Sequence, residues 1–333
     1  MLGVRREDVI NYSRGQITVL NRHKLEKLSC ECYAVVKKRN RSSAALSIDP
    51  TRRTVISPEA LCRNVQRAGS PPVILRHRDC ACTCLVPIRA YAVRVGKAMP
   101  IKKPLPVVNR LLEDLPRKER ADLLARCDAV DLVFGTILCE PDEPHRYVYF
   151  PLTGFISLVA NVKGHPPLEM GLIGSEGVLG VTLVLGIKAA PLRGVVQGTG
   201  TALRMTAPQF RRELRDLPSL LPILNRYLYV LMAQLSQTAA CTRFHTIEAR
   251  LARWLLMTHD RAHADHFHLT QTFLADMLGV QRSAVTIAAG ALQRKSLIRY
   301  NRGDIEILSR KGLEATACEC YAAVVEDYAQ LFP

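Results

Sequence analysis

Apolar residues recur along this chain with more than one period, and each period predicts a different kind of element. From Leu269 to Leu308 the sequence reads LTQTFLADMLGVQRSAVTIAAGALQRKSLIRYNRGDIEIL. Leu274 and Leu278, with Ala275 beside them, give one short helix an apolar stripe, and Val280, Val285 and Ala288 give a second helix another. Gly279 stands between them, where a tight turn leaves no room for a side chain. Ala275, four positions earlier, lets the two helices cross closely, which predicts a helix-turn-helix. The pattern then alternates. Leu297, Ile298 and Tyr300 lead into the polar turn Asn301-Arg302-Gly303-Asp304, and Ile305 and Ile307 follow at period two, predicting a hairpin, or wing.

Upstream, Leu111, Leu115, Leu123 and Leu124 lie at helical spacing around a break at Pro116, so two short helices are expected. Short β-rich runs follow at Val130–Phe134, Tyr147–Phe150, Phe155–Ala160, Glu169–Ile173, Leu192–Gln197 and Thr201–Met205. Gly, Pro and Asp punctuate them, a pattern that predicts an antiparallel barrel or roll. Between Pro218 and Arg243, Leu221, Leu224, Leu228, Leu231 and Leu235 are spaced alternately by three and four, an a/d seam that favours a dimer interface over the broader stripe of a core helix. The next helix, Thr246 to Thr258, buries Ile247, Leu251, Trp254 and Leu255. A last helix is expected around Leu313, Ala317, Cys320 and Tyr321.

The start of the chain repeats its end. Residues 1–9, MLGVRREDV, match MLGVQRSAV at 277–285, and residues 10–36 match 298–324, down to the shared CECYA. Residues 286–297, the body of the second helix, have no counterpart, so the copy keeps turn, wing and closing helix but no complete recognition helix. A single partial copy cannot stack as an array. It is expected to be a degenerate fusion remnant. Residues 41–104, rich in Arg, Pro, Ser and Cys, show no sustained period, and the whole extension 1–104 is expected to be largely disordered.

Charge changes the picture less than its total suggests. The net +16 is concentrated in residues 1–104, where 21 Lys/Arg against 7 Asp/Glu give +14; residues 105–333 hold 25 against 23, or +2. Within the latter, residues 245–311 carry 10 basic and 6 acidic side chains, a modest excess suited to a DNA-binding face. No apolar run approaches the roughly 18 residues of a membrane span, and the charged start MLGVRRED has no signal-peptide core, so a cytoplasmic location and reduced thiols for the eleven cysteines are expected.

Little argues for catalysis or a metal. Cys80, Cys82 and Cys84 are spaced too tightly to converge as a zinc or iron–sulfur site. His259, His263, His266 and His268 are expected to be a polar linker, although the first two are one helical turn apart. The glycines at 171, 174 and 177 lack dinucleotide spacing and a βαβ frame and are expected to serve turns. There is no P-loop, no G-x-S-x-G and no paired catalytic carboxylates. No enzyme activity, no metal site and no cofactor are expected.

Barrel, heptad helix and winged helix-turn-helix, in that order, resemble the Crp/Fnr family of bacterial transcription regulators. The residues that carry the resemblance are DLVFGTIL (131–138), YVYFPLTGFISLV (147–159), LIGSEGVLG (172–180) and the stretch 273–308. It implies an α+β chain with an antiparallel β-roll of the cyclic-nucleotide-binding type at 105–217, a dimerisation helix at 218–244 and a winged helix-turn-helix domain at 245–325. It also implies a homodimer that binds double-stranded DNA, contacts RNA polymerase and answers to an unknown small-molecule effector. Gln281, Arg282, Ser283 and Thr286 would face base edges, with Arg282 able to bond guanine O6 and N7 together. Thr270, Thr272, Arg299 and Arg302 would contact the backbone. Cyclic-nucleotide-binding members hold ribose and phosphate with Gly-Glu-Leu and an Arg-Ser/Thr about ten residues later. Here Glu176 is followed by Gly177-Val178, and Arg193-Gly194 comes seventeen residues on, so the motif departs. Two other readings stay open: a sensor or interaction protein whose helix-turn-helix only packs, and an inactive fusion product.

Overall fold

The computed structural model describes residues 9–13, 16–42 and 108–332. The chain divides into two units, residues 1–86 and 87–333. In the first, β1 (Ile10–Ser13) and β2 (Gln16–Val19) form an antiparallel hairpin with Ile10 opposite Val19. Two helices follow, α1 (Arg22–Leu28), capped by the Asn21 side chain, and α2 (Glu31–Ser42). Residues 10–13 and 16–42 thus hold regular elements, including the wing and closing helix that the repeat predicts. Strand pairing and a helix cap are local and need no partner domain. The hairpin reproduces the wing of the carboxy-terminal copy, but α1 buries no residue, and Leu20, Leu28, Tyr33 and Val36 lie exposed. Residues 43–107, with Cys80, Cys82 and Cys84, lie outside the described residues.

The second unit opens with α3 (Arg110–Glu113) and α4 (Arg117–Leu124). Seven strands follow: β3 (Asp128–Leu132), β4 (Ile137–Cys139), β5 (Tyr147–Pro151), β6 (Phe155–Ala160), β7 (Leu168–Ile173), β8 (Arg193–Gly198) and β9 (Gly200–Thr206). They pair antiparallel in two sheets, ordered β3-β9-β5 and β4-β8-β6-β7. Six match the expected runs; β4 has three residues, too few for a period to show. The helix α5 (Ala207–Asp216) starts at a Thr206–Gln209 capping box, and α6 (Leu220–Phe244) runs for 25 residues along the roll.

The heptad leucines of α6 do not form an open seam. Leu224 is fully buried and Leu231 is 7% exposed, both in one apolar cluster with Phe150, Ile156, Ile173, Val196 and Phe210. Leu228 and Leu235 pack against the same cluster, and only Leu221, 38% exposed, faces outward. Spacing by three and four marks a helix face without naming what covers it, and here the chain's own roll does. A second heptad on the opposite face, Asn225, Tyr229, Met232, Ser236 and Ala239, is exposed. The roll meets α6 closely because of two glycines. A Cβ on Gly171 would stand 2.5 Å from Gln234 Oε1, and one on Gly177 2.3 Å from the Tyr227 hydroxyl. Gly171 lies inside β7 and serves helix packing, whereas Gly177 also closes the expected turn, its N–H bonding the Gly174 carbonyl at 3.1 Å. Gln234 Oε1 in turn accepts the Leu172 N–H at 2.7 Å, on the outer strand of its sheet.

Beyond α6 the carboxy-terminal part follows as α7 (Ile247–Ala262), β10 (His266–His268), α8 (Gln271–Leu278), α9 (Arg282–Arg294), β11 (Ile298–Asn301), β12 (Asp304–Ile307), α10 (Arg310–Thr316) and α11 (Cys320–Leu331). The hairpin β11–β12 gains β10 as a third strand on the β12 side. Leu251, Leu255, Phe267, Leu274, Val285, Leu292, Ile305 and Leu313 make its core.

Candidate functional site

The two helices predicted around Gly279 are α8 and α9. Thr270 caps α8, its hydroxyl accepting the Phe273 N–H at 3.1 Å. Gly279 ends it with φ +62°, a left-handed conformation that glycine adopts without strain, and the Val280 N–H then bonds the Ala275 carbonyl at 2.9 Å. The helix α9 buries Val285, Ala288, Ala289 and Leu292. Its opposite face therefore presents Gln281, Arg282, Ser283, Thr286 and Ile287 to solvent, with Ile287 71% exposed. Arg282 and Thr286 converge on a residue the sequence reading passed over. Gln271 Oε1 accepts from Arg282 Nε at 3.3 Å and from Thr286 Oγ1 at 3.0 Å.

Thr270, Thr272, Arg282, Thr286, Tyr300 and Arg302 line one groove between the helices and the wing. Arg302 occupies the wing tip at φ +50°, next to Gly303 at φ +94°. Arg299 is placed differently. It sits opposite Glu306 across the hairpin and is engaged with that carboxylate. The histidines go separate ways: His259 pairs with Asp265 at 2.8 Å, His268 with Asp304 at 2.8 Å and His266 with Glu306 at 3.4 Å.

The two residues expected to hold an effector are each committed elsewhere. Glu176 forms an ion pair at 2.7 Å with Arg261 of α7, both side chains largely buried. Arg193 pairs at 2.9 Å with Glu140, just past the end of the neighbouring strand β4. A second polar link joins the roll to the helix-turn-helix. Glu169 of β7 accepts from Trp254 Nε1 at 2.7 Å and lies 2.6 Å from Ser157 Oγ. Ser157 also reaches Gln197, which contacts the Met277 sulfur of α8 at 3.0 Å. Burial raises the Glu169 pKa to about 7 against the hydrogen bonds from Ser157 and Trp254.

Residues 249–316 match the family model of the Crp-like helix-turn-helix domain. Solved structures share the fold. FixK2 from Bradyrhizobium japonicum superimposes with a TM-score of 0.50 at 15% identity, covering 58% of this chain and 98% of that one. The regulator CLP of Xanthomonas campestris, described as responsive to c-di-GMP, gives 0.50 at 15% identity over 58% of this chain and 100% of its own. A Crp/Fnr-family transcriptional regulator from Eubacterium rectale gives 0.51 at 14% identity over 62% and 96%. Residues 249–316 thus form a Crp-like helix-turn-helix domain, and the chain shares the fold of solved Crp/Fnr-type proteins. A comparison with curated protein sequences gives no match. The proteins from Xanthomonas campestris and Eubacterium rectale are both described as regulators. Among the described residues no helix is long and apolar enough to cross a membrane.

The structure also gathers four side chains that the sequence, read for metal spacing, leaves apart. Cys241 and His245 at the end of α6 meet Cys318 and Cys320 at the start of α11, and their ligand atoms all lie within 4.8 Å of one another. Cys241 Sγ and Cys318 Sγ are 3.5 Å apart, and Cys320 Sγ lies 3.3 Å from His245 Nδ1. A hydrogen bond from Cys318 draws the Cys241 thiol down to about 5, while Cys318 holds its own proton more firmly. The signal was in the sequence as Cys241-x-x-x-His245, two ligands on one helical face.

Proposed function

We propose that the protein acts as a homodimer on a two-fold DNA site, each protomer laying α9 in the major groove with its amino-terminal turn against base edges. The observation that carries this reading is the exposed row Gln281, Arg282, Ser283, Thr286 on a helix whose other face is buried. Gln271 restrains Arg282 and Thr286 before DNA arrives, which limits the entropy lost on binding. Thr270, Thr272 and Arg302 would grip phosphates beside it; Arg299 would do so only on leaving Glu306. Arg282→Ala is expected to lose about 1–3 kcal/mol of preference for the cognate half-site while leaving binding to random DNA nearly unchanged. Competition gel shifts against random duplex measure this, and equal loss on both duplexes rejects base reading by Arg282.

The dimer belongs to the same reading, joined along the exposed heptad of α6 and not along its leucines. Met232→Asp is expected to leave the helical circular dichroism intact and shift the protein to a monomer in sedimentation experiments. Leu224→Asp, by contrast, buries a charge in the roll and should unfold it. A Met232→Asp protein that stays dimeric would place the interface elsewhere. RNA polymerase contact and an effector complete the reading, but the effector would bind somewhere other than between Glu176 and Arg193.

A further inference from the structure

Cys241, His245, Cys318 and Cys320 have the composition and geometry of a closed metal site. A tetrahedral zinc ion with thiolates at about 2.3 Å and imidazole at about 2.0 Å needs sulfur–sulfur edges near 3.7 Å and sulfur–nitrogen edges near 3.5 Å. One sulfur–sulfur edge stands here at 3.5 Å and one sulfur–nitrogen edge at 3.3 Å, and all six edges lie within 4.8 Å. We propose that these four residues bind one zinc ion as a Cys3His site with no open position. Such a site is structural, and three thiolates with one imidazole select zinc among the common divalent metals.

The surroundings are arranged for the bound state. His245 Nε2 lies 3.0 Å from Glu319 Oε1, so its proton goes to the carboxylate and Nδ1 is left with its lone pair toward the sulfurs. Gln237 Nε2 donates to Cys320 Sγ at 3.0 Å. Zinc with three thiolates carries one net negative charge, and Arg250 and Arg253, both buried on α7, interact electrostatically with Cys241. Binding releases the remaining thiol protons to solvent and changes no oxidation state. A Cys241–Cys318 disulfide would need the sulfurs to close to about 2.05 Å. It would leave His245 and Cys320 without a role.

The position gives the ion its consequence. His245 is the residue at which α6 ends, and α7 begins two residues later, while Cys318 and Cys320 follow the wing. Zinc would therefore clamp the joint between the long helix and the DNA-binding domain to the far end of that domain. The amino-terminal repeat supplies an internal control. Cys30 and Cys32 are the counterparts of Cys318 and Cys320, but they are exposed, and the repeat has no counterpart of Cys241 or His245.

The test uses the full-length protein, reduced, stripped with a chelator and titrated with cobalt(II). One equivalent is expected to give the intense visible bands of tetrahedral cobalt and thiolate charge transfer, bleached by one equivalent of zinc. Cys241→Ser and Cys318→Ser should each abolish the bands, and the Cys30→Ser/Cys32→Ser double variant should keep them. Glu319→Gln should weaken zinc about ten- to a hundredfold. Should the cysteine variants fail to fold, alkylation of the wild type followed by mass spectrometry decides: zinc is expected to protect Cys241, Cys318 and Cys320 together. No tetrahedral spectrum from folded wild type, bands that survive Cys318→Ser, or thiols that zinc leaves unprotected would each overturn the proposal. None of these readouts depends on DNA binding.

Discussion

Arg261→Ala is expected to destabilise the carboxy-terminal unit by about 3–5 kcal/mol, because it strands a carboxylate that the fold has largely removed from water. The Arg261 and Glu176 side chains are 7% and 16% exposed and meet at 2.7 Å. Without the guanidinium, Glu176 still accepts from the Gly174 N–H at 3.1 Å but loses the 2.8 Å bond from Arg261 Nε. Arg261 also donates to the Met257 carbonyl at 2.9 Å, so alanine removes a second contact. Burial, the largest single influence, lowers the Arg261 pKa, but Glu176, Tyr328 and Asp260 together outweigh it and the pKa rises. Urea denaturation followed by the fluorescence of Trp254, the single tryptophan, measures the loss. The double variant Arg261→Met/Glu176→Leu, which withdraws both charges together, should cost less than Arg261→Ala alone. A single-variant loss below about 1 kcal/mol would mean the pair behaves as a solvated surface bridge.

Glu169→Gln is expected to remove a pH dependence from stability and to stabilise the protein in mild alkali. Burial raises Glu169 from 4.5 to about 7. Between those values the unfolded chain ionises first, so the folded state holds the extra proton. Stability from this group is fully present below pH 4.5, falls as pH rises toward about 7, and is level above it, a loss of roughly 3 kcal/mol. The hydrogen bonds explain why the neutral acid suits the site. When Glu169 is ionised, the one hydroxyl proton of Ser157 faces two acceptors, Glu169 Oε2 at 2.6 Å and Gln197 Oε1 at 2.7 Å. A protonated Glu169 donates to Ser157 and frees it to donate to Gln197. The variant should match wild type near pH 4.5 and exceed it by about that 3 kcal/mol at pH 8. Trp254 emission in wild type should titrate with a midpoint near 7 and do so no longer in the variant. Identical pH profiles would show Glu169 to be ionised and solvated.

What the sequence disclosed and what it hid divide along one physical line. Periodicity reports which face of an element is apolar, so the helix-turn-helix, the wing and six strands were readable from residues such as Leu274, Gly279 and Ile305. It does not report the partner of that face. Leu224 and Leu231 have the spacing of an intersubunit seam, and the roll covers them first. The cysteine cluster was hidden because Cys241 and Cys318 are 77 residues apart and meet only once α11 packs on α6. Glu169 was hidden because a carboxylate in a strand reads as the solvent side of an alternation, and only α7 and α8 laid over β7 turn that side inward. Glu176 and Arg193 have the residue types and order of effector ligands, yet each has a nearer ion to satisfy.

Gln234 has an effect that reaches beyond its own molecule. The outermost strand of a sheet offers unpaired N–H and carbonyl groups on which a strand from another chain can template, the usual first step of edge-to-edge aggregation. By taking the Leu172 N–H with its side-chain carbonyl, Gln234 holds α6 against that border, and the Leu172 N–H is no longer open to a stray strand. A helix that packs on the roll thus also covers part of the edge where a strand of another chain would pair.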